Sequence, residues 1–153
     1  MAPIRIHRHA YVLVCDGSKA LVFRNAGDAL ALNLQVVEAA FEPHPPTRDL
    51  GAERPGRVRE AMGTFRSAVE EPDYHDLAET DFLRGVAHKL EALVHARDIT
   101  DLVIVAPPRA LGVLRTFLAP AVRAVVSAEI GKDLARLSTV EIETQLAGLN
   151  RLP

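Results

Sequence analysis

The apolar and polar positions divide the chain into two unlike halves. Ala10–Val14 (Ala-Tyr-Val-Leu-Val) is a short β-prone run closed by Asp16-Gly17-Ser18, the chemistry of a tight hairpin turn. Lys19–Arg24 alternates and is expected to pair back as a second strand. Asn25-Ala26-Gly27-Asp28 forms another turn, and Leu32–Phe41 reads as a third strand, its apolar run lying at Leu34–Phe41. Short turns between three strands make an antiparallel meander. Further on, Phe82, Val86, Leu90, Leu93 and Val94 recur at helical spacing, and the pattern predicts a helix over Asp76–Arg97. Asp76 followed by Glu79 has the form of a capping arrangement, with acids in the first turn where the dipole favours them.

Leu102–Ala106 (Leu-Val-Ile-Val-Ala) is unbroken and apolar, as expected of a strand covered on both faces. Pro107-Pro108 ends it, and a proline at the first helical position suits a helix over Pro108–Leu118. Gly112 inside that helix costs propensity, which points to close backbone packing. Ala124–Ile130 alternates as a half-buried strand. Ser138 with Glu141 is a capping box opening a last helix, Thr139–Leu149. The order β-β-β-α-β-α-β-α predicts an α/β fold. It is met by a three-layer ribonuclease H-like domain with a five-stranded mixed sheet and helices on both sides. Fold alone assigns no activity.

Between the meander and the first helix the pattern leaves a loop of more than thirty residues, 42–75. Loops of that length in compact domains are functional or disordered. It carries Arg48, Arg54, Arg57, Arg59 and Arg66, and its centre reads Glu53-Arg54-Pro55-Gly56-Arg57. Residues 48–67 set five arginines against Asp49, Glu53 and Glu60; residues 68–81 then hold six acids and no Lys or Arg. Two readings stand. The arginines fold onto the acidic helix start, or Arg54, Arg57 and Arg59 contact phosphates, which guanidinium matches in bidentate geometry. With Gly51, Gly56 and Gly63 and little aliphatic content, the loop lacks the apolar surface to offset its own ordering entropy, so it is expected to be mobile or held by lattice or subunit contacts in the free protein and to order when phosphate, sulfate or RNA binds.

Size and composition bound the rest. A chain of 153 residues, 48% hydrophobic and 25% charged, fits one domain with a proper core. The net charge of −2 excludes a whole-surface nucleic-acid binder but leaves room for a local basic patch. Cys15 is the single cysteine, so intramolecular disulfides and thiolate zinc sites are excluded, and its strand position predicts a packed thiol. No apolar stretch reaches the ~18 residues of a membrane span, and Met1–Ala10 has no signal-like core, so a cytoplasmic protein without a membrane partner is expected.

Candidate chemistry is sparse. Asp16 sits where one carboxylate of a two-metal nuclease would lie. Yet the strand ending Val105-Ala106-Pro107-Pro108 supplies no second acid, and Asp16 reads more simply as a turn residue. His88 and His95 are seven apart, too far for an i, i+4 metal pair, and His7, His9, His44 and His75 read as solvated. No metal site is therefore predicted. No Gly-x-Gly-x-x-Gly, Walker, Gly-x-Ser-x-Gly or His-Glu-x-x-His pattern supports a cofactor or standard hydrolysis. Arg115 and the Lys132-Asp133 pair after the last strand remain candidates, either for binding or for local ion pairing.

Several segments together resemble a known family: Val12-Leu-Val-Cys-Asp16-Gly17-Ser18, Glu53-Arg54-Pro55-Gly56-Arg57, the helix from Phe82, Leu102–Pro108 with Leu111-Gly112-Val-Leu114-Arg115, and Ala128-Glu129-Ile-Gly-Lys132-Asp133-Leu134. The chain resembles the bacterial host attachment proteins, a family grouped with the middle domain of archaeal and eukaryotic peptide-chain release factors. In those factors the third strand is followed by a loop bearing Gly-Gly-Gln, which promotes peptidyl-tRNA hydrolysis. Here the glutamines are Gln35 and Gln145, both outside the loop, and arginines stand in its place. The resemblance therefore implies a non-enzymatic role facing the ribosome, tRNA or other RNA. The residue-based alternatives are a small metal-dependent hydrolase or nuclease using Asp16, and a regulatory module that binds another protein.

Overall fold

The computed structural model describes residues 5–41 and 64–150. Strands β1 (Tyr11–Cys15), β2 (Lys19–Asn25) and β3 (Leu34–Phe41) form the meander. Helix α1 (Thr64–Arg97) follows, then β4 (Leu102–Ala106), α2 (Pro108–Phe117), α3 (Pro120–Arg123), β5 (Val126–Gly131) and α4 (Thr139–Asn150). The sheet order is β3-β2-β1-β4-β5. β2 is antiparallel to both β1 and β3, and β4 and β5 run parallel to β1, so β2 alone runs opposite to the other four. This is the ribonuclease H-like arrangement that the order of apolar runs predicts.

Alternation along the central strands builds a core on each face. Tyr11, Leu13 and Cys15 of β1, with Leu102, Ile104 and Ala106 of β4, pack against Leu83, Val86, Leu90 and Val94 of α1 and Leu111 and Leu114 of α2. Val12, Val14, Val103 and Val105 face the other way, onto Ile142 and Leu146 of α4, with Phe23 filling the space between. A strand buried on both faces needs an unbroken apolar run, and β1 and β4 both have one. Glu143 ties the second layer to the sheet edge, its Oε2 accepting from the Leu34 N–H at 2.7 Å.

Four local expectations change. Helix α1 begins at Thr64 rather than Asp76, so the Asp76–Glu79 capping arrangement does not exist and Arg66 lies in the helix. The helix runs through Pro72, a residue that removes one backbone hydrogen bond and ordinarily marks a boundary. A short extra helix, α3, precedes the last strand, which starts at Val126. β5 does not alternate evenly: its register skips between Leu102↔Val126 and Val103↔Ala128, so Ser127 is an extra, bulged residue. Finally, a Cβ on Gly112 would meet nothing within 4 Å, so no close packing demands glycine there.

The remaining helix ends follow the sequence closely. Pro108 opens α2 at its first turn. At the start of α4, Ser138 Oγ accepts from the Glu141 N–H at 3.2 Å and Glu141 Oε1 accepts from the Ser138 N–H at 2.9 Å, a reciprocal capping box. α1 ends before Asp98, which takes a left-handed φ of 51°. No helix among the described residues is long and apolar enough to cross a membrane.

Candidate functional site

Because β1, β3, β4 and β5 run the same way, their carboxyl ends lie along one end of the sheet. Of the sequence candidates, Asp16, Lys132 and Asp133 lie there. β1 passes into Asp16, whose Oδ1 accepts from the backbone N–H groups of Ser18 (2.9 Å) and Lys19 (2.8 Å), while the Asp16 N–H donates to the Lys19 carbonyl at 2.9 Å. Asp16 is thus a turn residue, and its side chain closes the β1–β2 hairpin. The other oxygen, Oδ2, faces Arg136 Nε at 3.6 Å. That pairing places the segment after β5 over the end of β1. One carboxylate oxygen therefore takes two backbone donors, while the other faces the exposed Arg136 guanidinium beyond hydrogen-bond distance.

Gly17 is hemmed in from the helical side. A Cβ there would lie 2.8 Å from Glu79 Cδ, so any side chain at this position would have to displace the Glu79 side chain of α1. Beyond Glu79, α1 continues toward its own N-terminus for fifteen residues, about 22 Å at 1.5 Å per residue. Phe41, the last residue of β3, pairs with Lys19. β3, which precedes the basic segment, therefore ends beside the Asp16 turn, and α1, which follows it, passes the same turn. Arg48, Arg54, Arg57 and Arg59, and the expectation that their loop orders on an anion, lie outside the described residues.

On the third parallel strand, β5 ends at Gly131, whose Cβ position would be 3.5 Å from Pro108 Cγ. The Lys132 N–H turns back to the Ile130 carbonyl at 3.0 Å, and Lys132 and Asp133 point to solvent. Leu134 and Ala135 are buried in the α4-side core and hold this segment down. Arg136 follows them and reaches Asp16, a contact invisible to local sequence reading because 120 residues separate the pair. Arg115 does not join this group. It lies on α2 against the middle of β5, with Nε 2.8 Å and Nη2 2.7 Å from Glu129 Oε1.

Nucleophile and metal chemistry gain little here. Burial pushes the Cys15 thiol up to about 12, the neighbouring Asp16 charge adding to the effect, so it is a packed thiol at neutral pH. Among the described residues no group of three His, Cys, Asp or Glu side chains converges as a metal site would require. His88 and His95 are exposed on α1, and His9 Nδ1 sits 2.7 Å from Arg24 Nη2. His44 is outside the described residues, and His75 falls within α1 rather than ahead of it.

Sequence reading passed over Arg136 and Arg123, and gave Glu79 only a capping role. Arg123 donates from Nε to the Leu118 carbonyl (3.2 Å) and from Nη2 to the Arg115 carbonyl (2.8 Å), bridging α2 and α3. One signal was available. From Val105 to Ala128 the sequence has Arg109, Arg115 and Arg123 and no acid at all.

No curated protein matches the chain. Among solved structures, the crystal structure of the archaeal translation termination factor aRF1 is similar with a TM-score of 0.47 and 10% identity, over 93% of this chain and 36% of that one. The chain thus spans about a third of that factor's length. A family model described as "Protein required for attachment to host cells" matches residues 11–146, nearly the whole of the described sheet and its helices. The chain belongs to this host attachment family, whose description is one of binding and names no reaction.

Proposed function

We propose that this protein is a cytoplasmic, non-enzymatic binding protein that engages RNA, on the ribosome or as tRNA, through the arginines of residues 48–66. The observation carrying this reading is where the segment is rooted. β3, which precedes it, ends at Phe41 beside the Asp16 turn, and α1, which follows it, passes Gly17 at the end of the sheet that also carries Lys19, Lys132 and Arg136. Five arginines against three acids over residues 48–67 supply the local positive charge that phosphate contacts need. Attachment to host cells then follows indirectly, through what the bound RNA controls. The Asp16 nuclease reading has little to build on, since one carboxylate oxygen already takes two backbone donors and the other faces Arg136.

Co-sedimentation with ribosomes and anisotropy with single-stranded RNA, each across a salt series, test this. Binding should weaken steeply with salt. Arg54→Ala with Arg57→Ala and Arg59→Ala should flatten the log–log slope by roughly 2, at about 0.7 per lost single-strand phosphate contact. Salt-independent binding would instead assign the segment to a protein partner. Metal-dependent RNA cleavage abolished by Asp16→Asn would replace the proposal with an enzyme.

A further inference from the structure

β5 is an edge strand, and the cleft beside it has the features of a peptide site. The cleft, about 290 Å³, is lined by Arg115, Leu118, Arg123, Val126 and Glu129, so it lies between β5 and the α2–α3 corner. The bulge at Ser127 creates this lining. Without it Val126 and Glu129 would point to opposite faces of the sheet; with it both flank the helical side. Ser127 Oγ donates to Asp101 Oδ1 at 2.6 Å and holds the bulge in place.

Among the described residues no strand pairs with the outer side of β5. The Leu102 N–H donates to the Val125 carbonyl at 2.8 Å, so Leu102 and, by alternation, Ile104 direct their backbone groups at β5. Glu129 is the register partner of Ile104, and in a parallel ladder its own N–H and C=O then point away from β4. An outward donor and acceptor next to a side-chain cleft is the arrangement used when an extended peptide adds to a sheet edge: main-chain bonds hold it and the cleft selects its side chains.

Charge decides what kind of peptide. Arg115 and Arg123 line the cleft, where Glu129 is the one acid and pairs with Arg115, and Lys132 follows the strand. Glu129 holds Arg115 through Nε and Nη2 on one oxygen, and Arg123 is anchored through Nε and Nη2 to two carbonyls. Nη1 of both guanidinium groups makes no hydrogen bond among the described residues, so each is fixed in place with donors to spare. We infer that the β5 edge and its cleft take an extended acidic segment of a partner protein as a sixth strand, its carboxylates meeting Arg115 and Arg123 and its apolar side chains meeting Leu118 and Val126.

The test uses the full chain and a fluorescein-labelled, end-capped octapeptide, Ser-Asp-Ser-Val-Ser-Asp-Ser-Val, in which aspartate and valine share one face of the strand and can both enter the cleft, read by anisotropy. The acidic peptide should bind, and the counterpart with lysine in place of aspartate should not. Arg115→Glu should weaken binding at least about tenfold. Glu129→Pro removes the outward N–H at a position where an edge strand accepts proline, and should also cost at least about tenfold, whereas Glu129→Ala keeps that N–H and should bind at least as well as the parent. If Glu129→Pro fails to fold by circular dichroism, the acidic peptide N-methylated at alternate amides supplies the same test and should not bind. Equal binding of both peptides, indifference to main-chain blocking, or no binding of the acidic peptide would each overturn the proposal. So would sedimentation equilibrium showing that a second copy of the chain occupies the edge.

Discussion

A Cβ on Gly17 would stand 2.8 Å from Glu79 Cδ, so the turn leaving β1 and helix α1 touch through a glycine and a carboxylate side chain. The atoms that must yield are the far end of an exposed, flexible side chain, not backbone. Gly17→Ala should therefore cost under about 1 kcal/mol, and Glu79→Ala should remove that cost. A double-mutant cycle by urea unfolding measures the coupling directly. A loss that persisted in the Glu79→Ala background would mean that the turn itself, not the helix contact, demands glycine.

The turn also fixes what Asp16 does. Its Oδ1 accepts two backbone N–H groups at 2.9 and 2.8 Å, with the side chain only 13% exposed. Asp16→Ala should destabilise by about 1–3 kcal/mol, the cost of stranding partly buried donors, while Asp16→Asn keeps an acceptor and should cost less. Denaturant midpoints of the two variants decide this. Equal losses would mean that the charge facing Arg136 matters more than the turn bonds.

Cys15 behaves as part of the core. Its thiol is raised from 9.0 to about 12, first by burial and then by the Asp16 charge. A thiol whose folded pKa lies above its unfolded one binds its proton more tightly in the folded state. Its contribution to stability is complete below about pH 9 and is lost as pH climbs from there toward 12. Thiol reagents at pH 8 should label the unfolded chain promptly and the native protein only at its opening rate. Rapid native labelling would contradict the buried position.

Local physics made much of this architecture legible. Leu102–Ala106 is strand over the same residues that its unbroken apolar run indicates, Pro108 opens its helix, and Ser138 with Glu141 forms the capping box that the spacing announces. What escaped was non-local or over-ridden. The 34-residue α1 runs through Pro72 and a stretch of like charge that ordinarily end a helix, which is why its start reads as Asp76. The bulge at Ser127 depends on a serine finding Asp101 across the sheet, and alternation alone cannot show it. In the candidate site, the Asp16 turn was readable from Asp-Gly-Ser, but its pairing with Arg136 spans the chain.

Asn25 is the clearest case of a residue whose weight is hidden in sequence. It reads as one polar residue of a turn, yet it is the one fully buried polar side chain among the described residues, with 0% exposure. Nδ2 donates to the carbonyls of Ile6 (2.9 Å), His7 (3.2 Å) and Asp28 (3.3 Å), and Oδ1 accepts from the N–H groups of Gly27 and Asn33, both at 3.0 Å. One amide thus ties the N-terminal segment to the β2–β3 turn and satisfies backbone groups on both sides. Asn25→Leu should leave those groups stranded without water, a loss on the order of 3 kcal/mol or more. Asn25→Asp keeps the shape but turns donors into a charged acceptor facing carbonyls, so its carboxyl should titrate above the unfolded value in the folded state. Its destabilisation should be smallest below about pH 4, where both states hold the proton, and should grow as pH rises through the folded pKa. Urea unfolding at pH 4 and pH 7 measures the difference, and a variant more stable at pH 7 than at pH 4 relative to the parent would refute this account of the Asn25 network.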